Sequence, residues 1–437
     1  MADDLRAAYR TVIDDHFPAH MIINFTDRLT ADHRLGGGQR LVYSRVDWVI
    51  GDEKKGLRYG ENPGQEAVLY KLVNGNLVLG EVEFIQPRNW LVADLDLRQS
   101  GKHPGKTNLT DVDNCLNIMR YLDDRPTAVV VKHNNPCGVA QDGELVKAFE
   151  EAYMVDRLAA MGGAVALNMP VDKATAERIA KRYVEVVAAP GYEDGALEIL
   201  GKRKDLRVVE IKNMERLKEF KGTRFPEFKS LIDGSNVIQF SYVPADPSTW
   251  RVPEGVRQPT PEEMGDLTFG WMVEAGITSN SVIYVKDRRT VGIGTGEQDR
   301  VGVAESARDK AYRKLADRIC WEKHGVQYNK LLREAGLRQV LPGTFHPKDV
   351  KTIRDQEAFE KLLEINGEVQ AMNGGLEGAR MVSDAFFPFR DGIDVGLTEG
   401  VTAVVHPGGS NRDKDSEEAC IENDAAMIYT GLRSFKH

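Results

Sequence analysis

Short β-branched runs alternate with helical stretches along this chain, and that alternation limits its fold more than any other feature. TAVVVK (127–132), GAVALN (163–168), VEVVAAP (184–190) and RVVEI (207–211) are apolar at consecutive positions, as strands buried on both faces are. Between them, ATAERIAKRYV (174–184) keeps its apolar residues at helical spacing. Residues 213–262 are richer in charge, proline and turn formers and read as a connection, after which the pattern resumes. Residues 261–277 predict a helix with an acidic first turn. SVIYVK (281–286) and TVGIGT (290–295) predict a hairpin, and 307–325 and 355–367 predict helices. ARMVSDAFFPF (379–389), GVTAVVHP (400–407) and AAMIYTGL (425–432) predict further strands. The class is α/β, and no period indicates a solenoid.

At 437 residues the chain has room for two or three domains, and with 41% apolar residues it can bury a large core without staples. A net charge of −9 argues against a nucleic-acid partner, which needs a cationic face, but leaves small anionic ligands open. Cys115, Cys137, Cys320 and Cys420 form no CxxC and suit a reducing compartment. MADDLRAAYR has no apolar signal region, and no run approaches the ~18 residues of a membrane span, so a cytoplasmic protein with no membrane partner is expected. Residues 1–56 open on a helical-looking stretch, include Gly36, Gly37 and Gly38, and predict an extension packed on the body. A phosphate loop would need a lysine and a hydroxyl after those glycines, and they are missing.

Six segments carry chemistry-bearing residues. Lys132 and His133 end the TAVVV run just before a turn, NNPCG. A permanent cation beside a base that titrates near neutrality can move protons and steady an oxyanion, or it can be a solvated strand end. RYGENPGQ (58–65) offers Arg58 for a bidentate phosphate contact, or is a loop with an exposed arginine. TSNSVIYVKDRRTVGIGTGEQDR (278–300) falls short of a dinucleotide fingerprint. Its Gly292, Gly294 and Gly296 permit close approach of a ligand or another strand, and Asn280 has an amide to donate. SDAFFPFRDGID (383–394) is either core or a platform for a flat heterocycle. HPGGSNRD (406–413) and the terminal GLRSFKH (431–437) come last, the tail reading as surface. The histidines are dispersed and no HxE precedes a PCxxC, so zinc is not expected, and no GxSxG elbow supports a serine nucleophile.

RYGENPGQ, VKHNNPCGVA, TSNSV with GIGTGEQDR, SDAFFPFRDGID, PGGSNRD and LRSF, in that order, resemble the 5-aminoimidazole-4-carboxamide ribonucleotide (AICAR) formyltransferase family of purine biosynthesis over roughly residues 57–437. In most members this enzyme is joined to an IMP cyclohydrolase. The resemblance implies two zinc-free cytidine-deaminase-like α/β domains, here at 57–225 and 226–437, the second with a helical insertion at about 305–375. It also implies an intertwined homodimer with active sites at the interface, and 10-formyltetrahydrofolate as cosubstrate; family members also carry a structural potassium ion. By resemblance Lys132, His133 and Asn280 are catalytic. Arg58, Tyr59, Gly162, Glu185, Arg300, Phe386, Arg433 and Phe435 match nucleotide-site positions. Met161, Phe389 and Asp391 match the folate side.

The sequence departs from the family pattern in places. The usual NPHQ reads Asn62-Pro63-Gly64-Gln65, the usual DPVSAFGG reads DRLAAMGG (156–163), and residues 301–382 are longer than in many bacterial members. These changes bear on folate affinity and on the choice of formyl donor. Only 57 residues precede RYGENPGQ, so the expectation is a stand-alone transformylase with a separate cyclohydrolase in the cell. The competing readings are a transformylase with another formyl donor and a nucleotide-binding regulatory protein without catalysis.

Overall fold

The structure is a computed structural model that describes residues 11–26, 38–62, 64–79, 82–83, 90–99, 103–337, 341–344 and 352–437. The helical-looking opening at 1–10, Gly36, Gly37, Pro63 and part of the expected insertion lie outside these residues. By packing, the chain forms two units that interleave in sequence: Met1–Leu116 with Gly162–Val243, and Asn117–Met161 with Pro244–His437.

In the first unit, Ala164–Leu167, Val186–Ala189 and Arg207–Glu210 run parallel, with Ala164 opposite Val186 and Val186 opposite Arg207. Asp96–Gln99 adds an antiparallel edge to the last of them. The first two strands are buried at every residue, as their unbroken apolar runs require. Helix Lys173–Ala180 is capped by Asp172, whose carboxylate accepts from Thr175 N at 2.6 Å. Within residues 1–56, His20–Phe25 and Gln39–Arg45 pair antiparallel and continue onto Tyr70–Gly75. The stretch read as a plain connection has more order than expected. It holds a 3₁₀ helix at Lys212–Phe220 and a hairpin of Pro226–Ser230 with Asn236–Phe240. Every residue of Asn236–Phe240 is exposed, so neither strand carries the buried face that would have marked it.

In the second unit, adjacent strands follow the order Thr127–Lys132, Asn135–Gln141, Arg289–Gly294, Val282–Lys286, Arg380–Ser383, Ala403–His406 and Ala426–Tyr429. The first five are antiparallel and the last three parallel. NNPCG is not a turn: His133 and Asn134 alone make it, at φ 56° and 61°, and Asn135–Gln141 is a strand. Two successive left-handed residues match the twist of a tight hairpin, which the proline nearby masked. ARMVSDAFFPF is strand only over Arg380–Ser383, because Asp384 turns inward and Pro388 ends any ladder. Helix Pro261–Glu274 starts on a capping box between Thr260 and Glu263. Helix Arg300–His324 is capped by Asp299 and ends at left-handed Gly325. Tyr328–Glu334 and Gln356–Ala371 follow it, supplying helix where an insertion was expected. Gly292 and Gly294 do serve close approach, but to that long helix: a Cβ on either would stand 2.3 Å from the carbonyl oxygen of Ala307 or Val303. Among the described residues no helix is long and apolar enough to cross a membrane.

Candidate active site

Strand register brings the chemistry of the second unit to one end of its sheet. Lys132 pairs with Asn135, Ala140 with Arg289, Val282 with both Gly294 and Ser383, Val382 with Val405, and His406 with Tyr429. Residues 132–135, 278–281, 295–300, 384–391 and the tail after Tyr429 therefore all leave the sheet at that end.

Lys132 is half-buried and His133 is exposed at the hairpin tip. The Lys132 Nζ donates to the Met161 carbonyl at 2.8 Å. Beneath it lies a cavity of about 150 Å³ lined by Asn135, Cys137, Asp156, Lys310 and Lys314 among others. Lys310 donates to the Ile293 carbonyl at 2.9 Å, and burial pushes its pKa down. Lys314 pairs with Asp156 at 2.9 Å. The hairpin is tied to the next segment by Asn135, whose Oδ1 accepts from Thr278 N at 2.9 Å and from the Thr295 hydroxyl at 3.1 Å.

Asn280 is held at both ends of its amide. Its Oδ1 accepts from Arg300 Nη2 at 2.9 Å and its Nδ2 donates to the Gln298 carbonyl at 3.1 Å. The Arg300 Nη1 donates to the Ser281 carbonyl and to Ser383 Oγ, each at 3.1 Å, and pairs with Asp384. Asp384 is fully buried and also accepts from Ser281 N at 3.1 Å. Glu274, equally buried, accepts the Ser281 hydroxyl. Burial, and then the Asp384 charge, raise its pKa well above the usual carboxylate range. The tail is fastened here rather than loose: Ser434 N donates to the Asp384 carbonyl at 2.8 Å, and Ser279 exchanges bonds with Lys436. Arg433 is exposed and lies 4.5 Å from the centroid of the Phe435 ring. The aromatic run divides, with Phe387 fully buried and Phe386 and Phe389 exposed. Met161 is exposed too, and Asp391 opens helix Asp391–Leu397 at the surface.

The first unit has its own cluster where its parallel strands begin. Gly162, at φ 83°, donates to the Tyr183 carbonyl, and Glu185 N donates to the Gly163 carbonyl. Arg58 is not an exposed loop arginine, since it is 9% exposed, and Tyr59 is equally buried. The Glu185 carboxylate accepts from Asn108 Nδ2 at 3.2 Å and stands 3.8 Å from Arg207.

A family model described as AICARFT/IMPCHase bienzyme matches residues 7–310. The chain belongs to the AICARFT/IMPCHase bienzyme family. Its relatives include proteins named bifunctional purine biosynthesis protein PurH. That of Chlorobium chlorochromatii is 34% identical over 384 residues, 87% of this chain and 58% of the relative. That of Chlorobaculum parvum is 34% identical over 390 residues, covering 88% and 60%. That of Pelodictyon phaeoclathratiforme is 32% identical over 417 residues, covering 94% and 64%. The chain thus spans roughly three fifths of the relatives' length.

For this bienzyme-family chain, sequence reasoning missed Asn135, Glu274, Asp384, Lys310 and Arg207. Asp384 and Glu274 sit inside segments read for their aromatics and their helix pattern. Arg207 opens a strand read for its valines. A buried charge leaves no periodic trace, and only contacts far apart in sequence reveal it. Helices Lys106–Met119 and Leu145–Val155 were also missed. The first does carry a signal, because Leu109, Val112, Leu116 and Met119 recur at helical spacing and are all buried.

Proposed function

We propose that this chain is a purine-biosynthetic transformylase, moving the formyl group of 10-formyltetrahydrofolate to the 5-amine of AICAR. The observation that carries the reading is the common sheet end, where Lys132 and His133 meet the segment bearing Asn280 through the two hydrogen bonds of Asn135. Family membership supplies the substrate class.

The AICAR amine is conjugated with an electron-poor ring and is a weak nucleophile. Its nitrogen attacks the formyl carbon, the formyl C=O becomes an oxyanion, and the amine must lose a proton as attack proceeds. His133 takes that proton. The exposed turn suits it to the task, because an imidazole there is not committed to a core. The Lys132 ammonium, freed from the Met161 carbonyl, stabilises the oxyanion or protonates the folate nitrogen as the old C–N bond breaks. Asn280 orients the amine or formyl group with the N–H it keeps in reserve, and Arg300 holds that amide in place. Arg58, Tyr59, Gly162, Glu185, Phe386, Arg433 and Phe435 bind nucleotide. Exposed Phe389 and Met161 with Asp391 suit a pterin. The buried oxygens of Glu274, Asp384 and Ser281 fit a hard cation such as potassium, since Glu274 Oε2 has no hydrogen-bond partner among the described residues. The proposal extends to two deaminase-like domains, a cytoplasmic setting and a homodimer.

Transformylase assays with 10-formyltetrahydrofolate test this, with formate plus ATP as the competing donor. Lys132→Ala and His133→Ala should each lose about 10²-fold or more in kcat while still binding AICAR. A lysine variant at near-full rate would falsify the assignment. Supplying formyl-AICAR and measuring IMP separates this reaction from the second activity named for the family.

A further inference from the structure

Two arginines of the first unit are buried without enough counter-charge. Arg58 is 9% exposed and Arg207 4%. The Nε of each is buried and has no hydrogen-bond partner among the described residues. Guanidinium groups rarely go so far out of water unless paired. Glu185 is the carboxylate at hand, and it is already shared: its Oε2 accepts from Asn108 at 3.2 Å and stands 3.8 Å from Arg207 Nη1, beyond hydrogen-bond length. Arg58 makes no ion pair among the described residues and lies 4.6 Å from the Tyr59 ring centroid. Burial, and then the Arg58 cation, push the Arg207 pKa down, so the two guanidiniums sit close enough to repel. Two guanidiniums face one close carboxylate, itself partly exposed, and Asp205 acts on Arg207 only weakly, so their positive charge is under-compensated.

Gly105 and the start of a helix lie beside the Arg58 guanidinium. A Cβ on Gly105 would stand in ordinary contact, 3.5 Å from Arg58 Nη2 and 3.6 Å from Asn108 Oδ1, so this backbone runs directly beside the guanidinium. Helix Lys106–Met119 begins at the next residue, and its positive end faces an anion favourably.

We infer that Arg207 and Arg58 form one buried fork for an oxyanion, and that Arg207 is a further binding residue for the phosphate of the nucleotide substrate. Guanidinium geometry matches phosphate oxygens bidentately, which a lysine does not reproduce. The nucleotide part of this inference rests on the transformylase reading; the demand for an oxyanion does not.

Thermal unfolding of the full chain in inorganic phosphate, against chloride at equal ionic strength, reads the site directly. Wild type should melt higher in phosphate. Arg207→Met should lose that shift, while melting at or above wild type without phosphate, because it removes an unpaired buried charge. Its KM for AICAR should rise about 30-fold or more, with a much smaller change in kcat. Binding of the same nucleoside without phosphate should match wild type. A phosphate shift intact in Arg207→Met overturns the inference, above all if the ligand-free variant melts far below wild type, the mark of a structural arginine. Should Arg207→Met fail to fold, Arg207→Lys decides: losing at least half of the phosphate shift supports the fork, and keeping all of it overturns it. A shift that depends on Arg207 in a protein without formyl transfer would sink the transformylase reading and leave the oxyanion site standing.

Discussion

His406 shows how one side chain couples this sheet end to pH. It is fully buried, between Phe387 and Tyr429 with ring centroids 5.4 and 5.0 Å away, and its Nδ1 accepts from Gly408 N at 3.1 Å. Burial, aided by the Arg300 charge, holds its pKa down at about 3, against 6.5 for a free imidazole. The folded chain therefore keeps it neutral, and the unfolded chain binds a proton below pH 6.5. The stability it contributes is present above 6.5 and is lost as pH falls from there toward 3, by up to about 1.4 kcal/mol per pH unit. His406→Asn keeps an acceptor for Gly408 but cannot titrate. Denaturant melts between pH 7 and 4 should show a shallower loss of stability in this variant. Parallel curves for the two proteins would mean that His406 is not the group responsible.

At the scale of elements, the strand Arg289–Gly294 and helix Arg300–His324 meet backbone to backbone, and glycine makes that contact possible. Gly294→Ala would set a methyl 2.3 Å from the Val303 carbonyl, and neither main chain can yield cheaply. The expected loss is about 1–3 kcal/mol or more. Because the same helix begins with Arg300, which holds Asn280, transformylase rate should fall as well. Gly143→Ala, where an added Cβ meets nothing within 4 Å, serves as the control and should melt like wild type. Equal melting of the two variants would show that the helix can move aside. These elements were largely legible beforehand. The runs at 127–132, 164–167, 186–189 and 207–210 are strands where the valines stand, and a helix begins at Pro261 where the acidic first turn predicts one. Asn135–Gln141 was hidden because its proline and glycine argue against a strand, while its pairing with Thr127–Lys132 overrides them.

For the whole molecule, the proposed homodimer makes a prediction that no single chain can meet. Arg58 belongs to one packed unit and Lys132 to the other. If each active site draws on two protomers, Lys132→Ala and Arg58→Met chains, each weak alone, should recover activity when unfolded and refolded together. Random pairing with one intact site per mixed dimer sets the ceiling at about a quarter of wild type. Size-exclusion and light-scattering masses of the mixture report whether dimers formed. Dimers that form and stay as weak as their parents would place each site within a single protomer.

Residue order by itself determined the class of fold, the buried apolar strands of both units, four of the helices, and the family, because buried strands need unbroken apolar runs and because six short motifs recur in a set order. It also marked Lys132, His133 and Asn280, whose chemistry is visible one residue at a time. Only the tertiary structure decided that Arg300 holds Asn280 and Asp384, that the C-terminal tail is fastened to Gly276 and Ser279, and that Arg58 and Arg207 are buried near one another with Glu185 beside Arg207. Charge balance in a buried cluster is a property of neighbours from distant parts of the chain, and those neighbours meet only once the strands have taken their register.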